Sequence, residues 1–427
     1  MPNFSIPLSG LTGEATALSA VANNLANQNT TGYKDVQVLF SDLFYQNLGT
    51  TGSGDPIQLG AGAQVGSMPS TFTQGSVSAT GVPTDVAIQG NGFFVIQQNG
   101  IDSYTRAGNF SVDKNNFLVT SDGQQVLGYP AVNGVVNTGQ AIAPLQLGAG
   151  TISPPAATSA VQIQTNLDAT AAVGDTFSTP MNIFDSLGAS HTLTFTFTKT
   201  AANTWSYSVS IPSTDLNPVP PAGGGNPVPQ SGILNTGTLT FDGNGNLIGP
   251  TNLAGNLTNV TGITATSLAD GASNLSFDWD LLNGTTPVVT QVAGPSSTSS
   301  TQQNGSSSGT LTDFSIGSDG TITGSFSNGT TAALGQLAVA SFANDQGLQR
   351  VGDTNYTATL ASGQAVIGTP GTAGRGTLAG GALELSNVDI STEFANLIVA
   401  QRAFEANAKT VTTFDTILSD TINMKQG

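Results

Sequence analysis

The run Asp389-Ile390-Ser391-Thr392-Glu393-Phe394-Ala395-Asn396-Leu397-Ile398 opens the segment whose reading decides the architecture. From there Phe394, Leu397, Ile398, Phe404, Ala408, Val411, Phe414, Leu418 and Ile422 recur at helical spacing and mark one face. Asp389 or Ser391 can cap the start, and Glu393 suits the positive end of the helix dipole. About 34 residues at ~1.5 Å each make a helix roughly 50 Å long. Alone, such a helix has nowhere to bury its stripe, and each large apolar side chain left in water forfeits about 1.5–3 kcal/mol. It needs a partner.

The other chain end supplies one. Phe4, Leu8, Leu11, Ala15, Leu18, Ala22 and Leu25 alternate in steps of three and four, a heptad seam. Gly10 and Gly13 weaken this helix by roughly 1 kcal/mol each relative to Ala, and it should end near Asn27-Gln28-Asn29. A subunit-assembly seam is therefore assigned to Leu8, Leu11, Ala15, Leu18 and Leu25 on one helix and Phe394, Leu397, Phe404, Val411, Phe414 and Leu418 on the other. Two such helices also suit the core of an ordinary globular domain. Against that, they stand at opposite ends of a chain whose middle reads as strand.

Asp85 to Ile96 reads as two strands around the turn Gly90-Asn91-Gly92. Further turn signals follow at Asn99-Gly100, Asp122-Gly123, Asp242-Gly243, Asp319-Gly320 and Asn328-Gly329. Thr50 to Pro56 reads as a flexible connector, and Pro154-Pro155 opens a second β region. Two biased stretches, the Pro/Gly-rich Asn217 to Pro229 and the Ser/Thr-rich Ser296 to Gly309, read as loops or linkers. The fold class expected is mainly β with terminal α-helices that pair as a coiled coil, and two nested β domains between them. The parts are 1–30 with 388–427 (helical), 31–70 (connector), 71–145 with 310–387 (middle β) and 146–309 (outer β).

Composition narrows the function. With 9 Lys+Arg against 26 Asp+Glu, a formal charge of −17 and no basic run, the chain lacks a nucleic-acid footprint. Only 8% of residues are charged, and 53 glycines with abundant Ser, Thr and Asn suit turn-rich sheet. No Cys means no disulfide and no thiolate chemistry. No apolar run reaches the ~20 residues of a membrane span, so no membrane insertion is expected. The start Met1-Pro2-Asn3-Phe4 shows no cleavable signal. The single His, His191, lies in an alternating stretch and reads as a strand-face residue. Asp242-Gly243-Asn244-Gly245-Asn246 imitates a calcium loop, but Leu247 and Leu253 stand where Gly and Glu are required, so a hairpin turn is expected. No catalytic residue, cofactor or metal site is expected.

Three blocks carry a resemblance. The first is Ser9-Gly10-Leu11, Asn23-Asn24-Leu25-Ala26-Asn27 and Thr31-Gly32-Tyr33-Lys34. The second is Asp85 to Phe94, then Tyr104-Thr105-Arg106-Ala107-Gly108-Asn109-Phe110 and Gly128-Tyr129-Pro130. The third runs from Leu334 through Leu383-Glu384-Leu385-Ser386-Asn387-Val388-Asp389 to Ala400-Gln401-Arg402-Ala403-Phe404-Glu405-Ala406-Asn407. In this order they resemble the bacterial flagellar rod and hook axial proteins. The insertion from Gln146 to about Thr310 resembles the hook branch rather than the distal rod. Some spirochaete members are cross-linked through a Cys, a chemistry this Cys-free chain lacks.

That resemblance implies a structural subunit that polymerises with itself into a curved, flexible helical tube joining rod to filament. Implied partners are other copies of the chain, the rod, the hook cap, the hook-filament junction proteins and the export apparatus. Implied location is the extracellular flagellum, reached without a cleavable signal peptide. The terminal helices are expected to stay largely disordered before assembly, and Tyr33 to Ser70 to bridge adjacent subunits. A distal rod subunit and, from another class, a β-rich secreted adhesin are the alternatives.

Overall fold

The computed structural model describes residues 4–147, 152–219 and 228–424. The start Met1–Asn3, most of the Asn217–Pro229 loop and part of the boundary near residue 150 lie outside them. Two compact units are present: Met1–Ala149 with Asp313–Gly324 and Thr331–Gly427, and Gly150–Thr312 with Ser325–Thr330.

In the first unit, helix α1 (Ser5–Ala26) and helix α2 (Ile390–Met424) pack together. Asp389 is the cap of α2, its Oδ1 accepting the Thr392 amide at 2.9 Å. Beyond α1 come two nested hairpins: Leu39–Asp42 pairs with Ala63–Ser67, and Gln46–Thr50 with Pro56–Leu59. The stretch expected as a connector, Thr50 to Pro56, is thus the tip of the inner hairpin, closed by the Thr51 amide on the Asp55 carbonyl (2.8 Å).

The β part of this unit centres on the strand Phe93–Gln98, bonded on one edge to Ile101–Thr105 and on the other to Gln125–Val132 and Val339–Ser341. Asn99-Gly100 makes the tight turn to Ile101, both residues at positive φ (52° and 81°), as a two-residue turn between twisted strands requires. Two strands do flank Gly90-Asn91-Gly92, but they do not pair as a hairpin. Val86–Gln89 bonds Thr377–Gly380 instead. Gly92, at φ 123°, lets the chain pass against Val339 where a Cβ would collide, so the turn is a crossing between sheets. Phe94, Ile96, Leu118, Val126, Ile322 and Leu337 fill one core, and Phe93, Val95, Tyr104, Leu127 and Tyr356 the other face.

The second unit holds two five-stranded sheets. One is an antiparallel meander of Thr176–Phe184, Ser190–Ala201, Thr204–Ser210, Ile233–Phe241 and Leu247–Gly249. The other is built around Ala160–Asp168. Alternate residues of both sheets meet in one core holding Ile163, Phe195, Phe197, Trp205, Phe277 and Trp279. This is the outcome of period-two patterning in strands buried on one face. The hairpin at Asp242–Asn246 forms with Asp242 Oδ1 accepting the Asn244 and Asn246 amides (2.9 and 2.8 Å). One expectation fails here. Within the stretch read as linker, Ser297–Gln303 is a strand bonded antiparallel to Ala160–Asp168. Its Ser, Thr and Gln side chains suit a half-exposed edge, where β structure needs no apolar face.

Candidate assembly surface

The two helices run antiparallel. Phe4 meets Phe414 edge-on at 5.9 Å between ring centroids, Gly10 lies against Asn407, and Asn24 Nδ2 donates to Glu393 Oε2 at 3.3 Å. On α2 the inward face is Glu393, Leu397, Ala400, Phe404, Asn407, Val411, Phe414 and Leu418, in steps of four and three. Phe394, the remaining α2 seam residue, is exposed, as is Ile398 beside it.

On α1 the burial falls elsewhere. Pro7, Gly13, Ala20, Val21 and Asn24 are buried, whereas Leu8 (58% exposed) and Ala15 face outward and Leu11, Leu18 and Leu25 are half-buried. Gly10 and Gly13 explain the offset. A Cβ on Gly10 would stand 2.7 Å from Asn407 Nδ2, and one on Gly13 2.7 Å from the Phe40 ring. The closest contacts fall on the helix's small side, which leaves Leu8 outward and Leu11, Leu18 and Leu25 at its margins. The nested hairpins also expose Phe44 (95%), Tyr45, Leu48 and Ile57. Exposed apolar clusters of this kind mark association surfaces in water-soluble chains.

Below the helices lies an ionic knot of Lys34, Arg106 and Glu384, residues to which the sequence alone assigns no role. Lys34 Nζ sits 2.6 Å from Glu384 Oε1 and donates to the Thr73 carbonyl at 2.7 Å. Arg106 Nη1 reaches Glu384 Oε2 at 3.3 Å, and the Gly75 amide donates to Oε1 at 2.9 Å. Burial pushes the Lys34 pKa down, and the Glu384 carboxylate opposes that push. Arg350 donates to the Lys34 carbonyl and stacks over Tyr33 and Tyr356. Asn387 takes the Asp35 amide (2.8 Å) and gives to the Thr71 carbonyl (2.7 Å), while Asn24 Oδ1 accepts the Val36 amide (3.0 Å) and the Tyr33 hydroxyl (3.1 Å). The three separate sequence blocks meet here. A Lys or Glu set among glycines in a chain only 8% charged was the available signal.

In the second unit, His191 is buried with carboxylates on both ring nitrogens, Asp185 at 3.1 Å and Asp215 at 3.0 Å. The expectation of a plain strand-face residue missed this cluster, since its members come from separate turns.

Family models match in chain order: the flagella basal body rod protein at residues 6–34, the flagellar hook protein FlgE/F/G D1 domain at 87–167, the flagellar basal body protein FlaE D2 domain at 133–306, and the flagellar basal body rod FlgEFG protein C-terminal at 379–424. The chain is 35% identical to the flagellar hook protein FlgE of Treponema pallidum over 98% of both chains. It is also 35% identical to that of Escherichia coli over 99% of this chain and 100% of the relative. This chain belongs to the flagellar hook protein family. A crystal structure of Helicobacter pylori flagellar hook protein FlgE2 shares the fold at TM-score 0.50 and 16% identity, over 72% of this chain and 100% of that one. As a hook family member the chain is a structural subunit of the flagellar hook. Membership also implies self-polymerisation and a place in the extracellular hook and basal body.

Proposed function

We propose that this subunit polymerises into a curved, flexible tube that links rod to filament and transmits torque as a universal joint. The observation carrying this reading is the outward turn of Leu8 and Phe394 together with the uncovered hairpins at Phe44 and Tyr45. A single chain leaves these unburied, and contacts that repeat from copy to copy along a helix would cover them. The seam of Leu8, Leu11, Ala15, Leu18, Leu25, Phe394, Leu397, Phe404, Val411, Phe414 and Leu418 then has two parts: half-buried members join α1 to α2, and exposed members meet neighbouring copies.

The nested division into helical, connector, middle and outer parts fits a tube with the terminal helices innermost. The hairpins between Tyr33 and Ser70 bridge adjacent subunits, and a charge-poor surface of Thr, Ser and Gly offers replaceable polar contacts during bending. The rod, the hook cap, the junction proteins and the export apparatus are the partners. No catalysis is part of this role.

Electron microscopy of cells lacking the gene tests the proposal. Loss of hook and filament with the rod retained is expected; hooks of normal length and curvature would overturn it. Deleting Gly49–Gly66, which removes most of the nested hairpins, should stiffen or abolish the curved hook.

A further inference from the structure

The turn Asp185–Ala189 joins two strands of the second unit and carries chemistry that assembly does not use. Three carboxylates surround the ring of His191. Asp185 Oδ2 lies 3.1 Å and Asp270 Oδ2 3.7 Å from Nε2, while Asp215 Oδ2 lies 3.0 Å from Nδ1. Each carboxylate is held by its other oxygen. Asp185 Oδ1 accepts the amides of Leu187 (2.8 Å) and Ala189 (2.9 Å), Asp270 Oδ1 that of Ala272 (3.0 Å), and Asp215 Oδ1 the Thr214 hydroxyl (3.3 Å). The turns themselves are tied together: the Ala269 amide donates to the Asp215 carbonyl at 2.9 Å, and the Ser273 amide to Ser186 Oγ at 3.0 Å. Backbone amides thus aim the Oδ2 atoms of Asp185 and Asp270 at one imidazole, and the Thr214 hydroxyl that of Asp215.

Among the described residues no Lys or Arg pairs with them, which leaves His191 itself or a bound ion to supply positive charge. Between residues 150 and 312 the chain has eight Asp, no Arg and a single Lys. That Lys199 is committed elsewhere, its Nζ donating to the Ala169 carbonyl at 2.6 Å. Protonated on both nitrogens, the ring would donate to Asp185 and Asp215; with only Nδ1–H, given to Asp215, its Nε2 lone pair faces two carboxylates, an arrangement that a bound cation relieves.

Geometry selects which charge. The ligand atoms of Asp185, His191 and Asp270 lie within 4.8 Å of one another. Ligands about 2.0–2.2 Å from a tetrahedral ion stand about 3.3–3.6 Å apart, and the two distances from Nε2 bracket that spacing. A carboxylate on the far nitrogen of a ligating imidazole fixes its tautomer and raises its basicity, which is the place Asp215 holds. An imidazole in the ligand set favours a transition ion over calcium or magnesium. We propose that Asp185, His191 and Asp270 bind one divalent transition ion of the zinc type, with Asp215 positioning the imidazole. Asp270 is exposed, so its side leaves the fourth position to water. The ion would staple three turns of a unit that has no disulfide.

The test uses the full-length, metal-stripped chain, in which His191 is the only His and Cys is absent. Equilibrium dialysis against Zn2+ near neutral pH should show one saturable equivalent. Asp270→Asn should weaken it at least tenfold and Asp215→Asn about 10- to 100-fold, while His191→Gln abolishes it. Circular dichroism confirms that each variant is folded; Asp270→Asn, altering an exposed carboxylate, keeps the test open if His191→Gln does not fold. No saturable binding below about 1 mM overturns the proposal and leaves a proton on Nε2 as the balancing charge. Binding unchanged in folded Asp270→Asn also overturns it, assigning the zinc to scattered surface carboxylates.

Discussion

Lys34 and Glu384 stand 350 residues apart in sequence and form an ion pair of 2.6 Å with neither side chain exposed. Glu384 also accepts from Arg106, so one carboxylate balances two buried cations. Removing it strands both, whereas removing Lys34 leaves Glu384 with Arg106. Glu384→Ala should therefore cost about 3–5 kcal/mol, the range for an uncompensated buried charge, and Lys34→Met distinctly less. Denaturant titrations of the two variants give the comparison, and equal costs would contradict this account of the knot.

Gly108 and Gly10 predict opposite outcomes for the same substitution. A Cβ on Gly108 would overlap the backbone carbonyl oxygen of Val86, an atom that cannot swing away. Gly108→Ala should destabilise by about 3 kcal/mol through forced backbone separation. A Cβ on Gly10 meets only the end of the Asn407 side chain. Gly10→Ala should be neutral, or stabilising by up to about 1 kcal/mol from helix propensity. Thermal melts of the pair settle the contrast, which fails if Gly108→Ala melts with the parent chain.

The legible parts of the fold were those where hydrophobic pattern and burial coincide. Leu397, Phe404, Val411 and Leu418 repeat every seven residues, and they lie on the inner face of α2. On α1 the leucines of the seam are half-buried apart from the exposed Leu8, while Gly10, Gly13 and Ala20, which make close contacts on this helix, carry almost no hydrophobic signal. Ser297–Gln303 was hidden for a related reason. An edge strand of Ser, Thr and Gln takes its pairing from Ala160–Asp168, not from an apolar face of its own. Around Gly90-Asn91-Gly92 the strands were readable while their partners were not, since Leu378, the partner of Ile88, stands 290 residues further along the chain. The His191 cluster was out of reach altogether, as Asp215 and Asp270 look like ordinary turn residues until the turns meet.

Leu8 and Phe394 offer a separation of folding from assembly. Both are large, apolar and about half exposed in the single chain. Leu8→Ser and Phe394→Ser should change monomer stability by less than about 1 kcal/mol, as surface substitutions usually do. Polymerisation, followed by sedimentation or light scattering, should fall sharply, since each contact is repeated in every subunit. Normal polymers from the double variant would remove these residues from the assembly surface.

The terminal helices should gain structure on polymerisation. Along the 35 residues of α2 only Glu393 and Ala400 are buried, so one partner helix covers too little of it. Isolated helices are marginal in water, and most helical stability comes from tertiary packing of an apolar face. In dilute monomer α2 has only α1, weakened by Gly10 and Gly13, as helical support. Circular dichroism at 222 nm should therefore show less helix in dilute monomer than in polymer, with protease cutting first within residues 401–424. The Lys34–Glu384 knot lies below the helices and should hold the β part folded throughout. Full terminal helicity at concentrations too low for association would show that one chain buries its own seam, and the exposure of Leu8 and Phe394 would then need another explanation.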